Sequence, residues 1–369
     1  MTGTGIHRPI AITGCGVVSP AGVGLAGLRE LMRTPSMSQV EPGSDAEAYP
    51  PLALRTLPEL SLRDHVGRKG TRRLDRMVGI ALIATKAALD SAGRSEEREL
   101  RPRTGVSLGT STGSIASLAE IATDTLVQDE PYMIEPSRFP NTVLNSCAGQ
   151  MAIWNSLKGV NSTLAGGHVS STSAVRYALN AIHNGHATSM LAGGIEELTP
   201  HMAWAWYKSG LLRADAALGE GCAILVLEDK AVTNGRPIMA EALGAATAYC
   251  GARGERTSLA AGIAGCIGRL LARHELRAEE IDVVSLGAGA QIGARRIEEQ
   301  GVRLALGTLP TTVRVSDALG ECFSASGALQ AAALLARWSG ADHPAERLGL
   351  VTSLGRDGSV GCLLLRRAC

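Results

Sequence analysis

Short apolar runs that end in glycine alternate along this chain with longer stretches in which apolar residues recur every three or four positions. The first run, Pro9-Ile-Ala-Ile-Thr-Gly-Cys-Gly-Val-Val-Ser-Pro, reads as a buried strand closed by glycines and a proline. A short helix is expected over 24–32. Residues 34–70 break the pattern: Pro35, Pro42, Pro50, Pro51 and Pro58 fall among serines and charges, which predicts an extended surface excursion. From Arg76 to Ala92 the apolar positions Ile80, Ile83, Ala84 and Ala87 stand at i, i+3, i+4 and i+7, one face of a helix that Gly93 stops. The strand Thr104-Gly-Val-Ser-Leu-Gly-Thr follows and opens into the small residues 111–114.

That order returns later. Ile263, Ile267, Leu270 and Leu271 mark a helix, and Ile281-Asp-Val-Val-Ser-Leu-Gly reads as a strand that again opens into small residues. The tetrapeptide Val-Ser-Leu-Gly stands at 106–109 and at 284–287, and Thr352-Ser-Leu-Gly355 closes a further strand. A shared tetrapeptide at the same place in a shared helix–strand–loop order points to a duplicated architecture. Alternating helix and buried-strand signals predict α/β layers with mainly parallel sheets and a site at the C-terminal ends of the strands. The strand Gly221-Cys-Ala-Ile-Leu-Val-Leu-Glu and the turn Thr233-Asn-Gly-Arg-Pro make a seam that divides the chain into 1–235 and 236–369.

Composition narrows the function classes. Lys+Arg 36 balances Asp+Glu 35 in 369 residues, so no field gathers nucleic acid or an anionic membrane, and 3% aromatics offer little for stacking bases. No apolar stretch nears the ~18 residues of a spanning helix. The first apolar run is cut by Gly14 and Gly16 and lacks a cationic lead, unlike a signal peptide. The 8 cysteines are scattered with no Cys-x-x-Cys, which fits buried thiols in a reducing cytoplasm rather than disulfides or a zinc site. A soluble cytoplasmic protein without metal or cofactor is expected.

Several segments, in order, resemble the β-ketoacyl synthases, thiolase-fold condensing enzymes of fatty acid and polyketide assembly. They are Ile12-Thr-Gly-Cys-Gly-Val-Val-Ser-Pro, Asp75-Arg-Met through Asp90-Ser-Ala-Gly, Gly105-Val-Ser-Leu-Gly-Thr and Ala148-Gly-Gln. Leu157-Lys-Gly-Val-Asn-Ser-Thr, Met190-Leu-Ala-Gly-Gly-Ile-Glu, Leu218-Gly-Glu-Gly-Cys-Ala and Ser324-Ala-Ser-Gly-Ala continue the series. The resemblance implies two pseudo-duplicated halves in an α/β/α/β/α layering. It also locates the family's catalytic positions. The cysteine nucleophile, at a helix N-terminus that favours thiolate and oxyanion, falls here on His168; the two histidines fall on Gly287 and Glu321, and the lysine upstream of the second on Ser316. Claisen condensation needs a thiolate to hold the acyl chain and imidazoles to stabilise the enolate, and none of the three positions supplies its group.

The non-catalytic branch of that family, the chain length factor of type II polyketide synthases, lacks the cysteine and pairs with an active ketosynthase. The partner's growing chain enters a tunnel at the interface, and an acyl carrier protein delivers the substrates. This chain is similar to such a subunit. Its Leu211-Leu-Arg-Ala-Asp-Ala-Ala leads straight into Leu218-Gly-Glu-Gly, and Leu354-Gly-Arg-Asp-Gly-Ser-Val-Gly stands where the family has its gating loop. Both resemble the compact factors of polyene-forming systems. The family dimerises through the strand before the nucleophile position, here Asn161, Ser162, Thr163, Leu164, Ala165, Gly166 and Gly167.

The individual candidates have plainer readings beside these. His168 either polarises a thioester carbonyl or plugs the former pocket. In the rival reading, an active acyltransferase or malonyl decarboxylase uses His168 or a nearby serine. Ser170 and Ser171 would need a general base, and capping or packing near the helix start suits them better. His183 and His186 flank Asn184-Gly185, a helix terminus rather than a metal pair. Cys147 is expected as a packed thiol near the pocket mouth. Met133, Phe139 and Trp154 suit a tunnel wall, a partner surface or the core. The cluster Trp204, Trp206 and Tyr207 marks 200–208 for tunnel wall or partner contact.

Overall fold

The computed structural model describes residues 8–34, 48–71, 74–95, 97, 101–251 and 256–368, with backbone alone for Arg256 and Thr257. Its first eight strands are β1 (Ile10–Ser19), β2 (Gly22–Val23), β3 (Ala53–Arg55), β4 (Thr104–Gly109), β5 (Asn161–Leu164), β6 (Ser189–Glu196), β7 (Ala217–Gly219) and β8 (Gly221–Glu228). Five more follow: β9 (Ala240–Tyr249), β10 (Val283–Ser285), β11 (Thr311–Val313), β12 (Leu348–Leu354) and β13 (Ser359–Arg367). Helices α1 (Leu25–Arg33), α2 (Leu62–Val66), α3 (Arg76–Ser91), α4 (Ile115–Val127), α5 (Ser146–Trp154), α6 (Ser170–His183) and α7 (Pro200–Lys208) are interleaved with the first set. With the second run α8 (Arg256–Arg273), α9 (Ala294–Leu306), α10 (Val315–Leu319) and α11 (Ser326–Trp338).

The predicted duplication is a matter of strand order. In space the strands run β5-β4-β6-β8-β1 and then β9-β13-β12-β10-β11. Within each set of five, the strand at the centre of the molecule comes first in the chain, and its neighbours outward are the fifth, fourth, second and third. Directions match too: β1–β8 and β6–β8 are antiparallel and β4–β6 and β4–β5 parallel, as are their counterparts β9–β13, β12–β13, β10–β12 and β10–β11. The two sets meet where Ile10, Ala11 and Ile12 pair with Ala242, Glu241 and Ala240. Between them the chain passes through the Thr233–Pro237 turn.

The sheets are mixed rather than mainly parallel. The short turn between Leu354 and Ser359 can join only antiparallel neighbours, and β8 takes the same place in the first half. Residues 34–70 also depart from expectation, with 35–47 outside the described residues. Beyond them the chain returns to the body: β3 pairs in parallel with β7, and Leu54 and Leu57 are buried.

The layering follows from which helix faces are apolar. Helices α6 and α11 lie in the middle and touch strands of both halves, while α3 and α5 cover the outer face of the first half and α8 and α9 that of the second. Of the apolar stripe of α3, Ile80, Ile83 and Ala84 are buried and Ala87 is half-buried, and Asp75 caps the helix by accepting from Val78 N at 2.8 Å. Two glycines permit the closest approaches. A Cβ on Gly16 would stand 1.9 Å from the carbonyl oxygen of Ala84 on α3, and one on Gly327 would stand 2.7 Å from Thr172 Oγ1 across the α6–α11 contact. No helix among the described residues is long and apolar enough to cross a membrane.

Candidate functional site

The sheet delivers three glycine-containing loops to one place, at the C-terminal ends of β4, β5 and β10. On the first half, β5 ends at Leu164, the chain turns through Gly167 at φ +55°, and a single 3-10 turn, Gly167–Val169, presents His168 just ahead of α6. On the second half another 3-10 turn, Phe323–Ala325, leads into α11 at the equivalent place in the repeat. The two helix starts are fastened together: Ser171 Oγ accepts from Ala328 N at 3.1 Å, and Ser324 Oγ donates to the carbonyl oxygen of Ile195 at 2.9 Å.

His168 is thus brought beside the C-terminal half. Its Nε2 lies 2.8 Å from Gln291 Nε2 and 3.7 Å from Glu321 Oε1. The Gln291 contact has the amide donating to a bare ring nitrogen or, with the amide turned, its oxygen accepting from a protonated one; either way the ring is anchored. The ring edge also meets Phe323 at 5.7 Å and Trp206 at 5.9 Å, and those two stack on each other at 4.6 Å. Glu321 is buried and accepts from Phe323 N at 3.1 Å and Ala290 N at 3.3 Å. Phe323 itself sits at φ +43°, a conformation that costs a non-glycine residue of order 1–3 kcal/mol and that clusters at functional sites.

His168, Trp206 and Phe323 wall a cavity of about 510 Å³, together with Ser111, Thr112, Met202 and, from the β12–β13 turn, Arg356 and Asp357. Its lining holds no thiol. The nearest cysteine in sequence to the site, Cys322, points its sulfur at the carbonyl oxygens of Leu319 and Gly320, and burial holds its pKa well above the ordinary thiol value. A second imidazole, His201 at the start of α7, does line the cavity. The donors in the lining are therefore the imidazoles of His168 and His201, the hydroxyls of Ser111 and Thr112 and the Arg356 guanidinium, suited to holding a carbonyl oxygen. The lining thus holds no sulfur nucleophile, and no metal-ligating cluster is found among the described residues.

The other candidates divide. Of the three family positions, 168 and 321 meet, with His168 lining the cavity and Glu321 buried beside it. Gly287 instead stands where β10 ends, its N–H donating to Glu298 Oε1 at 2.9 Å, and a Cβ there would meet Gln330 Nε2 at 2.6 Å. Trp206 lines the cavity, whereas Trp204 turns away, donates to the carbonyl oxygen of Ala48 at 2.8 Å and meets Tyr207 edge-on. Ser170 is fully buried and occupied, accepting from Gly166 N at 2.9 Å and donating to the carbonyl oxygens of Gly167 and Thr110 at 2.6 and 3.1 Å. Cys147 is buried in the core against α3, with burial pushing its thiol well up. Met133 and Phe139 are exposed, on a surface that also carries Leu126, Val127, Tyr132, Val143, Leu144 and Ile153. His183 ends α6, and its Nε2 lies 2.8 Å from the carbonyl oxygen of Arg8.

Three residues of the site escaped the sequence reading: Gln291, His201 and Phe323. Gln291 had one available signal, as the only amide side chain in the small-residue loop that opens directly after β10.

Comparison with known proteins bears on this geometry. The family described as Beta-ketoacyl synthase, N-terminal domain, matches residues 7–232. Among curated proteins the chain is 26% identical over 271 residues to 3-oxoacyl-[acyl-carrier-protein] synthase 2 of Staphylococcus aureus (strain COL), covering 65% of this chain and 63% of that one. The match thus spans less than two thirds of the relative's length. Among solved structures, one described as the ishigamide ketosynthase/chain length factor is 29% identical, with a TM-score of 0.84 over 98% of this chain and 100% of that one. A β-ketoacyl synthase from Burkholderia phymatum STM815 shares the fold with a TM-score of 0.85 at 21% identity, over 98% and 100% of the two chains.

Proposed function

Because the chain belongs to the β-ketoacyl synthase family, we propose that it is a chain length factor, a subunit that catalyses no condensation of its own and pairs with an active ketosynthase whose growing acyl chain it helps to house. One observation bears most of the weight. At the helix start where the family keeps its thiolate stands His168, anchored between Gln291 and the buried carboxyl of Glu321, in a cavity without a thiol. A carboxylate there opposes the negative charge that builds on an enolate, where condensation needs donors. The similarity to the ishigamide ketosynthase/chain length factor, across nearly the whole of both chains, supports the same reading.

Two surface features support the pairing. Strand β5 ends the order of sheet strands and pairs only with β4 among the described residues, which leaves one row of backbone groups for another strand. Leu126, Tyr132, Phe139 and Ile153 are also exposed, large apolar side chains that a partner would cover. The partner is a catalytic ketosynthase, and an acyl carrier protein serves the pair. The compact β12–β13 turn and the direct run from α7 into β7 suit a factor of the polyene-forming type.

The test is co-expression with a catalytic ketosynthase from the same gene neighbourhood. A stable heterodimer whose product length shifts when Trp206 is replaced by Ala supports the proposal, and a well-behaved monomer indifferent to the ketosynthase refutes it. The two imidazoles in one cavity favour a second reading, in which the isolated chain decarboxylates malonyl-carrier or accepts an acyl group. Carbon dioxide release or a covalent adduct seen by mass spectrometry, lost in His168→Ala, would establish that reading instead.

A further inference from the structure

A cavity of about 340 Å³ lies between α1, the end of β11, α11 and the turn after α11, and shares no lining residue with the cavity at His168. Cavities of roughly 300 Å³ and upward hold small ligands. Four arginines reach this one: Arg29 and Arg33 from α1, Arg314 after β11 and Arg337 near the end of α11. Thr312 and His343 add a hydroxyl and an imidazole, and Met32, Val313 and Ala333 supply an apolar wall.

Much of that positive charge is already matched. Arg337 makes contacts of 2.8 and 2.6 Å with Glu346, Arg314 Nη2 meets Glu299, and Asp317 in the lining is taken by Arg295 from outside it. The other acid of the lining, Asp342, stands 3.8 Å from Arg33, with the two side chains 58% and 62% exposed, a pair too loose to hold either group in place. Arg29 is left over. It is half-buried and no carboxylate pairs with it among the described residues. Its Nη1 lies 3.5 Å from Ser339 Oγ, which itself donates to the carbonyl oxygen of Ala336 at 2.8 Å.

The donors point the same way. A guanidinium can only donate, so the contact of 2.9 Å between Arg337 Nη2 and His343 Nδ1 makes that ring nitrogen the acceptor and leaves the proton on Nε2. Arg29, Arg33 and His343 thus all offer N–H groups, while one of the two lining acids is committed elsewhere. A ligand that accepts hydrogen bonds and bears negative charge satisfies this set, and guanidinium forks match carboxylate and phosphate alike.

We propose that this cavity binds a small organic anion, a phosphate monoester or a carboxylate, whose charged end meets Arg29 and Arg33 and whose body rests on Met32, Val313 and Ala333. The inference is independent of the pairing with a ketosynthase, since every wall of the cavity comes from this chain and none is shared with the cavity at His168.

The experiment is isothermal titration of the full chain, together with any partner that co-purifies, using phenyl phosphate, benzoate and benzyl alcohol at one ionic strength. The three probes share a ring and differ in the group it bears. At least one anion should bind at least about tenfold more tightly than the alcohol, the scale of a single charge-assisted hydrogen bond, and the tighter anion assigns the headgroup. Arg29→Gln should weaken that anion about tenfold and leave the alcohol unchanged, whereas His168→Ala should change neither. Binding of neither anion, equal binding of the alcohol, an unchanged Arg29→Gln variant, or a loss that follows His168→Ala instead would overturn the proposal. If Arg29→Gln fails to fold, Arg33→Gln, at an exposed position, is read in its place.

Discussion

Glu321 is one buried carboxyl with contacts to Phe323, Ala290 and His168, so a single side chain fixes the strained turn before α11, the loop after β10 and the turn before α6. On the proposed reading the site holds groups rather than reacting with them, and a substitution can test it. His168→Cys restores a thiol at the start of α6, where the positive end of the helix and the free amides lower a thiol's pKa. We expect this variant to be alkylated by iodoacetamide at residue 168, read by peptide mass spectrometry, while buried Cys322 stays unmodified. We also expect condensation to remain at least about a hundredfold below that of an intact ketosynthase, because neither Gly287 nor Glu321 can donate to the enolate. Condensation at near-normal rate by this single variant would mean that His201 or Gln291 replaces the missing imidazoles.

At the scale of elements, β5 bears most on assembly. Val106 N donates to the carbonyl oxygen of Val160 and Thr110 N to that of Leu164, so alternation turns the backbone groups of Asn161 and Thr163 away from β4. The Oγ1 of Thr163 is buried with no hydrogen-bond partner among the described residues. Thr163→Pro removes an outward N–H at an edge, the one place in a sheet where proline is tolerated. It should leave the circular dichroism spectrum unchanged and abolish co-elution with the ketosynthase on size exclusion; an intact complex would show that pairing does not use this edge. The elements themselves were largely legible because their signals are local. The stripe of α3 lies within its own sixteen residues, and the shared Val-Ser-Leu-Gly sits at the same strand of each half, β4 and β10. The site was legible only as far as family positions reach. Trp204 and Trp206 give the same signal in sequence, yet only Trp206 meets Phe323, and that contact joins residues more than a hundred positions apart. Gln291 meets His168 across 123 positions, and no pattern within α6 or the β10 loop announces it.

Across the whole molecule, the duplication explains why the cavity lies where it does: the repeat places two 3-10 turns and two helix starts, those of α6 and α11, back to back at the junction of the halves. The junction is tight, as Gly327 against Thr172 and Ser171 demonstrates, and it is polar, since Thr172 Oγ1 lies 2.9 Å from Ser353 Oγ. Glu196, at the end of β6, spans it by accepting from Ser324 N at 3.3 Å and from the Ser324 hydroxyl. Burial pushes this carboxyl up to about 7, against the lowering effect of its hydrogen bonds to Ser324 and Ser111. In the unfolded chain the same group titrates at its ordinary value near 4.5. Between those two pH values the folded protein binds the proton and the unfolded chain releases it. The stability tied to that proton is fully present below about 4.5 and is lost as pH rises through about 7. Glu197 and Glu298 shift in the same direction and add to the trend. Chemical denaturation at pH 5, 6, 7 and 8 should therefore show stability falling by a few kcal/mol, most of it between pH 5 and 7 and little above pH 7. Glu196→Gln, which keeps an acceptor and cannot ionise, should flatten part of that slope and leave the rest to Glu197 and Glu298. A slope unchanged by the substitution would show that Glu196 stays ionised at the junction, and that the two halves are held there by a charged rather than a protonated carboxyl.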